Sequence, residues 1–419
     1  MMRKLQLTLL LSGALMLPAH SQICGCTDTY ATNYTQGATI NNGSCLYEPT
    51  SQTPVYKSTL SLDLSETSGL TYFNNKYWTH NDSGNLNRIY QFNPQSGQIE
   101  RSVVIKNATN IDWECMAQSS SYLFIGDCGN NATGARKDLC ILKISKAAIA
   151  NNKNDTVTAE KIYFSYPDQT NFTPSQNATN FDCEAIIFDN DSIHLFTKNW
   201  VDKKCTHYRV PSTPGTFVAK NVETFNPNGL ITDADFTSVN GNIVLIGYQE
   251  IVMGYYVCFA WLLFDYQPGH YFSGNKRRID LGPATQIGQT EGVLLFDDGS
   301  GYISNERVES PIVTIPASLR GFDFNSYYHN LADGFKEITK EISVISKSYL
   351  NPDTNHLNIT INHPHNNIRA SLYDVFGKKA TAWNLSNGEN STDLSMLQNG
   401  LYIVKLDQFP NSAIKIIKR

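Results

Sequence analysis

Five acidic residues recur along the middle of the chain at intervals of 48 to 70 residues: Glu66, Glu114, Glu184, Asp235 and Glu291. Each opens a short apolar run. A turn and a second run follow, as in Asp112-Trp-Glu-Cys-Met-Ala, then Ser119-Ser-Ser, then Tyr122-Leu-Phe-Ile-Gly-Asp127. Three of the five have another acid two residues earlier, Asp112, Asp182 and Asp233. Side chains two apart on a strand point to one face. The second runs end on further polar groups: His80 to Asp82, Asp127, Lys198-Asn199, Gln249-Glu250 and Asn305-Glu306-Arg307. If each unit is a hairpin, all of these share one rim.

Carboxylates held this close raise one another's pKa unless a cation neutralises them. Several oxygen donors and no sulfur suit Ca²⁺. The spacing therefore predicts metal ligation by Glu66, Glu114, Glu184, Asp235 and Glu291. Around them His80, Asp82, Asp112, Asp127, Asp182, Lys198, Asn199, Asp233, Asn305, Glu306 and Arg307 are expected to meet a ligand. The competing role for the acids is to cap strand entrances by accepting backbone N–H bonds. His80 beside Asp82 is a general base or an inert rim group. Lys198 and Arg307 bind a substrate anion or pair with rim acids. Trp78, Trp113 and Trp200 stack on sugars or pack between sheets. No Gly-x-Ser-x-Gly elbow, His-Glu-x-x-His or phosphate loop is present, which disfavours covalent catalysis but not metal-activated water.

The elements that must position these groups are short strands. After each acid-led hairpin come two more strand-like runs, for example Asn87 to Phe92 and Gln98 to Ile105, or Val257 to Phe264 and Arg277 to Leu281. Four strands per unit, repeated near this length, predict an all-β fold with a β-propeller over residues 55–325. Five blades account for the visible strands, and a sixth would fit in the longest interval. The alternative is a β-sandwich. The run Val55 to Leu62 precedes the first acid and is expected to close the ring against Ile312 to Ile315.

Composition agrees with an all-β chain: 22 Tyr, 20 Phe and only 17% charged residues. The net charge of −5, with no basic stripe, argues against a nucleic-acid partner. Met1 to Ser21 has a basic start, an apolar run too short to span a bilayer and small residues before Gln22, which reads as a secretory signal. No later stretch is long enough for a membrane span. All nine cysteines follow the signal, and the odd number leaves at least one unpaired within the chain. Cys26 and Cys45 bracket a small module over residues 22–54, and Cys115 and Cys128 flank one hairpin turn almost symmetrically, which makes them a candidate cross-strand disulfide. Residues 326–348 read as a linker. Residues 349–419 alternate as a small C-terminal β-sandwich.

That last stretch carries Asn351-Pro352, Leu372-Tyr-Asp-Val-Phe-Gly-Lys378, Asp393 to Lys405 with its Gly-Leu-Tyr-Ile-Val core, and a basic apolar end, Lys415-Ile-Ile-Lys-Arg419. It resembles the C-terminal sorting domain of the bacterial type IX secretion system. The resemblance implies that the secretion machinery is a partner, and that the protein is released or held on the outer cell surface. Residues 24–47 resemble a short module of secreted bacterial proteins. Thr79 to Gly84, Asp112-Trp-Glu114, Ile125 to Asn131 and Ser304 to Arg307 resemble secreted propellers of Bacteroidetes. In layout they also resemble phytase-like and gluconolactonase-like propellers, whose carboxylates surround a central tunnel. The two function classes this leaves are a surface protein that binds an extracellular ligand at a calcium-bearing rim, and a metal-dependent hydrolase of phosphate esters, esters or lactones. The mostly acidic rim lacks a basic cluster for phosphates and favours binding.

Overall fold

The computed structural model describes residues 22–151, 155–309, 314–328, 345–350, 354–361, 367–374, 377–407 and 409–418. The expected signal over residues 1–21 and Asn351-Pro352 lie outside the described residues. The chain divides into two compact units, Met1–His329 and Asn330–Arg419.

The first unit is a β-propeller of five blades. Each blade has four antiparallel strands ordered from the centre outward. The innermost are Thr67–Phe73, Trp113–Gln118, Cys183–Asp189, Leu230–Thr237 and Thr290–Leu295. Each lies beside the next, and the last lies beside the first, so the ring closes. Apolar side chains fill the space between neighbouring blades. Phe73, Trp78 and Ile89 of blade one meet Trp113, Met116 and Ile125 of blade two. Trp113 is fully buried there and Trp78 stacks on Phe73 with ring centres 5.1 Å apart, so both pack between blades.

The N-terminal strand Val55–Thr59 completes blade five, as its outermost member. Its partner is Ser318–Asp323, not the expected Ile312 to Ile315. Thr314–Ile315 instead forms a two-stranded ribbon with Val308–Glu309. The true third strand, Ser-Leu-Arg-Gly-Phe-Asp, escapes a hydrophobicity reading because Arg320 and Gly321 interrupt its apolar face. Three short segments extend blades in parallel: Thr156–Val157 on blade one, Gly215–Val218 on blade two and Thr50–Ser51 on blade four.

The N-terminal module is stapled by Cys26–Cys45. It is tied to blade four by Asn41, whose amide donates to Asp265 Oδ2 and Asn275 Oδ1 at 3.0 and 2.9 Å. Among the described residues this is the one disulfide; Cys115 and Cys128 are buried thiols, not the bonded pair that their places around the hairpin suggested.

The second unit holds two antiparallel sheets. One has Ile345–Leu350, His356–Ile361 and Gly388–Asp393. The other has Lys379–Leu385, Ile368–Asp374, Gly400–Leu406 and Phe409–Lys418. Their facing sides bury Leu357, Ile359, Leu372, Val404 and Leu406 as one core. The Lys418 ammonium turns inward and donates to the carbonyls of Leu394, Ser395 and Leu397 at 2.6–2.8 Å.

Candidate functional site

Every innermost strand carries a β-bulge near its start. The residue skipped by the pairing is Gly69, Glu114, Glu184, Thr232 or Glu291 in blades one to five. A bulge re-aims the side chain of the skipped residue. Glu114, Glu184 and Glu291 thus occupy one equivalent position, as their sequence places suggested. Glu66 and Asp235 do not; each falls three residues from the bulge of its own blade, where Gly69 and Thr232 stand instead. Counting acids along the sequence could not detect this shift, because a bulge changes register without changing composition.

The centre of the ring brings carboxylates together. One oxygen each from Asp82, Asp112 and Glu114 lies within 4.8 Å of the others, and so does a second set from Glu114, Asp182 and Glu184. Glu114, Asp182 and Glu184 are buried, as is Asp112, and Asp82 is partly so. Burial, then the charge of Asp112 and Glu291, pushes Asp82 up to about 7. Burial and the Asp182 charge push Asp112 up to about 6. Glu114 is driven well above the carboxylate range by burial, then by Asp82, Glu184, Asp112 and Asp182. Glu306 is raised by burial, then by Glu291 and Asp82.

Gly129 makes the first set possible. It lies against Asp112 and Glu114, and a Cβ there would sit 2.6 Å from Asp112 Oδ2 and overlap Glu114 Oε1. The second set is differently provided for. The Lys198 ammonium lies 3.1 Å from Glu184 Oε1 and is buried with it. Burial alone would pull Lys198 down; Glu184, then Tyr248, Glu291 and Asp182, hold it well above the ordinary lysine value. Asp182 accepts from Asn130 N–H and, at 2.7 Å, from the Trp200 indole.

The remaining residues divide by what they touch. Asp233 Oδ2 accepts Val293 N–H and Asp235 Oδ2 accepts Leu295 N–H, both at 2.7 Å, so these two acids knit the inner strand of blade four to that of blade five. The capping role describes them. Asp127 accepts Asp112 N–H at 3.1 Å and Arg136 Nη2 at 2.9 Å. Asn199 donates to Asp202, and Asn305 to the carbonyls of Glu306 and Pro316, so both hold loops. Glu66 is exposed and accepts from Asn85. Glu291 is buried and accepts from Gln289. Arg307 pairs with Glu309. His80 is fully buried, edge-on to Trp113, and burial pushes it down to about 4, so its ring is neutral and sealed from any substrate. Arg136 and Gly129 were missed by the sequence reading; neither has a spacing signal.

Replacing Asp233 with alanine strands the Val293 N–H in a buried place. The expected cost is about 1–3 kcal/mol in urea unfolding, the range for an unsatisfied buried group.

Residues 347–419 match the family described as the secretion system C-terminal sorting domain. The C-terminal unit is that sorting domain. It marks the chain as a cargo of type IX secretion, exported to the medium or the outer surface. No helix among the described residues is long and apolar enough to cross a membrane. No curated protein matches the chain. Among solved structures it is similar to PorZ, an essential surface component of the type IX secretion system of Porphyromonas gingivalis, at 12% identity and TM-score 0.29, covering 84% of this chain but only 45% of PorZ. It is similar to an exo-β-1,3-galactanase of Phanerochaete chrysosporium at 11% identity and TM-score 0.40, covering 85% and 94% of the two chains. A Bombyx mori β-fructofuranosidase gives 10% identity and TM-score 0.37, covering 89% of each. The five-bladed ring itself stands on the strand pairing of this chain.

Proposed function

We propose that the exported propeller binds an extracellular ligand at a central Ca²⁺ held by Asp82, Asp112 and Glu114. One observation carries the reading: three carboxylates converge within 4.8 Å where Gly129 leaves no side chain. Hard oxygen donors of this number and charge suit Ca²⁺, with ligand or water oxygens completing the shell. Asp182 and Glu184 form the second set of the cluster, with Lys198 offsetting their charge. A cavity of about 520 Å³ lined by Trp200, Tyr248, Tyr256 and Gln289 opens on the Lys198 side, where the Trp200 indole bonds Asp182. Tyr248 lies under the Lys198 ammonium, 5.3 Å from its ring centre, and Gln289 holds Glu291.

The hydrolase alternative gains nothing from the basic groups. Lys198 is committed to Glu184 and Arg307 to Glu309, so a phosphate would find no ready cation pair.

Calorimetric titration of Ca²⁺ into the purified protein tests the proposal. The expected dissociation constant is about 10⁻⁴ to 10⁻³ M, the extracellular range. Glu114→Gln removes a charged donor and weakens binding roughly tenfold or more. Gly129→Ala weakens it comparably, because the new methyl group displaces two donors at once. Asp235→Asn leaves it unchanged. No heat of binding at millimolar Ca²⁺, or equal affinity in Glu114→Gln, would end the proposal.

A further inference from the structure

Directly beside the acid cluster lie three thiols that the proposed function does not use. Cys115 follows Glu114, Cys183 precedes Glu184, and Cys128 precedes Gly129. All three are fully buried. Cys183 N–H donates to Cys128 O at 3.4 Å, and Cys128 Sγ contacts Cys183 O at 3.3 Å. Cys128 and Cys115 both flank Gly126, where an added Cβ would lie 2.6 and 2.7 Å from their sulfurs.

We propose that Cys128 and Cys183 form a disulfide in the exported protein, riveting blade two to blade three beside the carboxylates. The choice of pair follows from backbone geometry. The Cys183 N–H on the Cys128 carbonyl, with the Cys128 sulfur 3.3 Å from the Cys183 carbonyl, brings the two backbones within the reach that a disulfide spans. Cys115 is paired with Gly126, two residues before Cys128 and across the register shift at Glu114, so those two cysteines do not stand opposite each other. Closing the Cys128–Cys183 bond takes a side-chain rotation at Cys183, whose sulfur now points to Ala185 O at 3.6 Å.

The export route supplies the conditions. A secreted chain crosses an oxidising space, and the thiols are accessible until blades two and three close on each other. The oxidant is a disulfide-bearing protein or small molecule. One cysteine thiolate attacks it, forming a mixed disulfide and releasing a thiol; the second thiolate displaces the other sulfur. Two cysteine protons are lost, one protein S–S bond forms, and the oxidant's S–S bond becomes two thiols. The bond closes a loop over a separation of 55 residues and fixes the strand that carries Glu184 to the segment that carries Gly129.

This inference is independent of the metal. Full-length protein from the medium or the cell surface is alkylated under denaturing, non-reducing conditions, digested and analysed by mass spectrometry. The expected result is a peptide linked through Cys128 and Cys183, with Cys115 alkylated. Alkylation of both Cys128 and Cys183, or a Cys115–Cys128 link, overturns it. A second measurement uses a Cys26→Ala/Cys45→Ala variant, which lacks the N-terminal staple. Its melting temperature should still fall by about 5 °C or more in reductant. Adding Cys183→Ala should abolish that response; an unchanged response would also overturn the proposal.

Discussion

A chain that stops at residue 346 accumulates in the periplasm and is absent from the medium and the outer surface. The expected loss is near complete, because the sorting domain is an address read by the secretion machinery, not a contributor to the propeller's stability. Each unit buries its own core: Leu357, Leu372 and Val404 belong to the sorting domain, and the apolar clusters between blades belong wholly to the propeller. The truncated protein should therefore fold and melt cooperatively at the temperature of the full chain's propeller. Immunoblots of periplasm, outer surface and medium, with a melt of the periplasmic material, make the check. Normal export of the truncated chain would mean that the address lies elsewhere. Retention together with unfolding would mean that the tail supports the fold.

How much was legible beforehand follows from the kind of signal each feature leaves. The five hairpins were readable because each inner strand is apolar and each turn is polar. Closure by the N-terminal strand was readable for the same reason, as Val55 to Leu62 had no other sheet to join. Its partner was not, because Arg320 and Gly321 conceal the strand Ser318–Asp323. Asp182 and Glu184 share a cluster, although a bulge at Glu184 breaks the strand alternation there, and Asp233 with Asp235 share a role. What failed was the equivalence of the five acids. Bulge positions decide which acid faces inward, and a bulge leaves no mark in a count of residues. Gly129 and Arg136 were hidden for a related reason. Their importance lies in the neighbours they touch, Asp112, Glu114 and Asp127, which come from other strands.

In chelator the protein is more stable at pH 5 than at pH 8, and Ca²⁺ narrows the difference. The acids of the cluster set the sign. Asp82 rises from 3.8 to about 7 and Asp112 from 3.8 to about 6 on folding, mainly through burial. With the folded values raised, the native state binds more protons than the unfolded chain between about pH 4 and pH 7. Stability is then greatest below the unfolded value and is lost as pH rises through the folded one. A cation offsets part of this penalty. Ca²⁺ at ~100 times its dissociation constant stabilises the native state by about 2.7 kcal/mol. At pH 5 protons occupy the same oxygens, and the calcium gain shrinks, because metal ligands must be deprotonated. The variant that isolates the effect is Asp112→Asn with Glu114→Gln, which keeps the side-chain shapes and removes two charges. Glu184 is left in place because the buried Lys198 ammonium depends on it. The double variant should melt alike with Ca²⁺ and with chelator, and its pH slope in chelator should flatten. Thermal melts of both proteins at the two pH values decide the matter. A wild type whose melting temperature ignores Ca²⁺ at pH 8 would leave the cluster as a set of structural acids, with Lys198 the cation built into it.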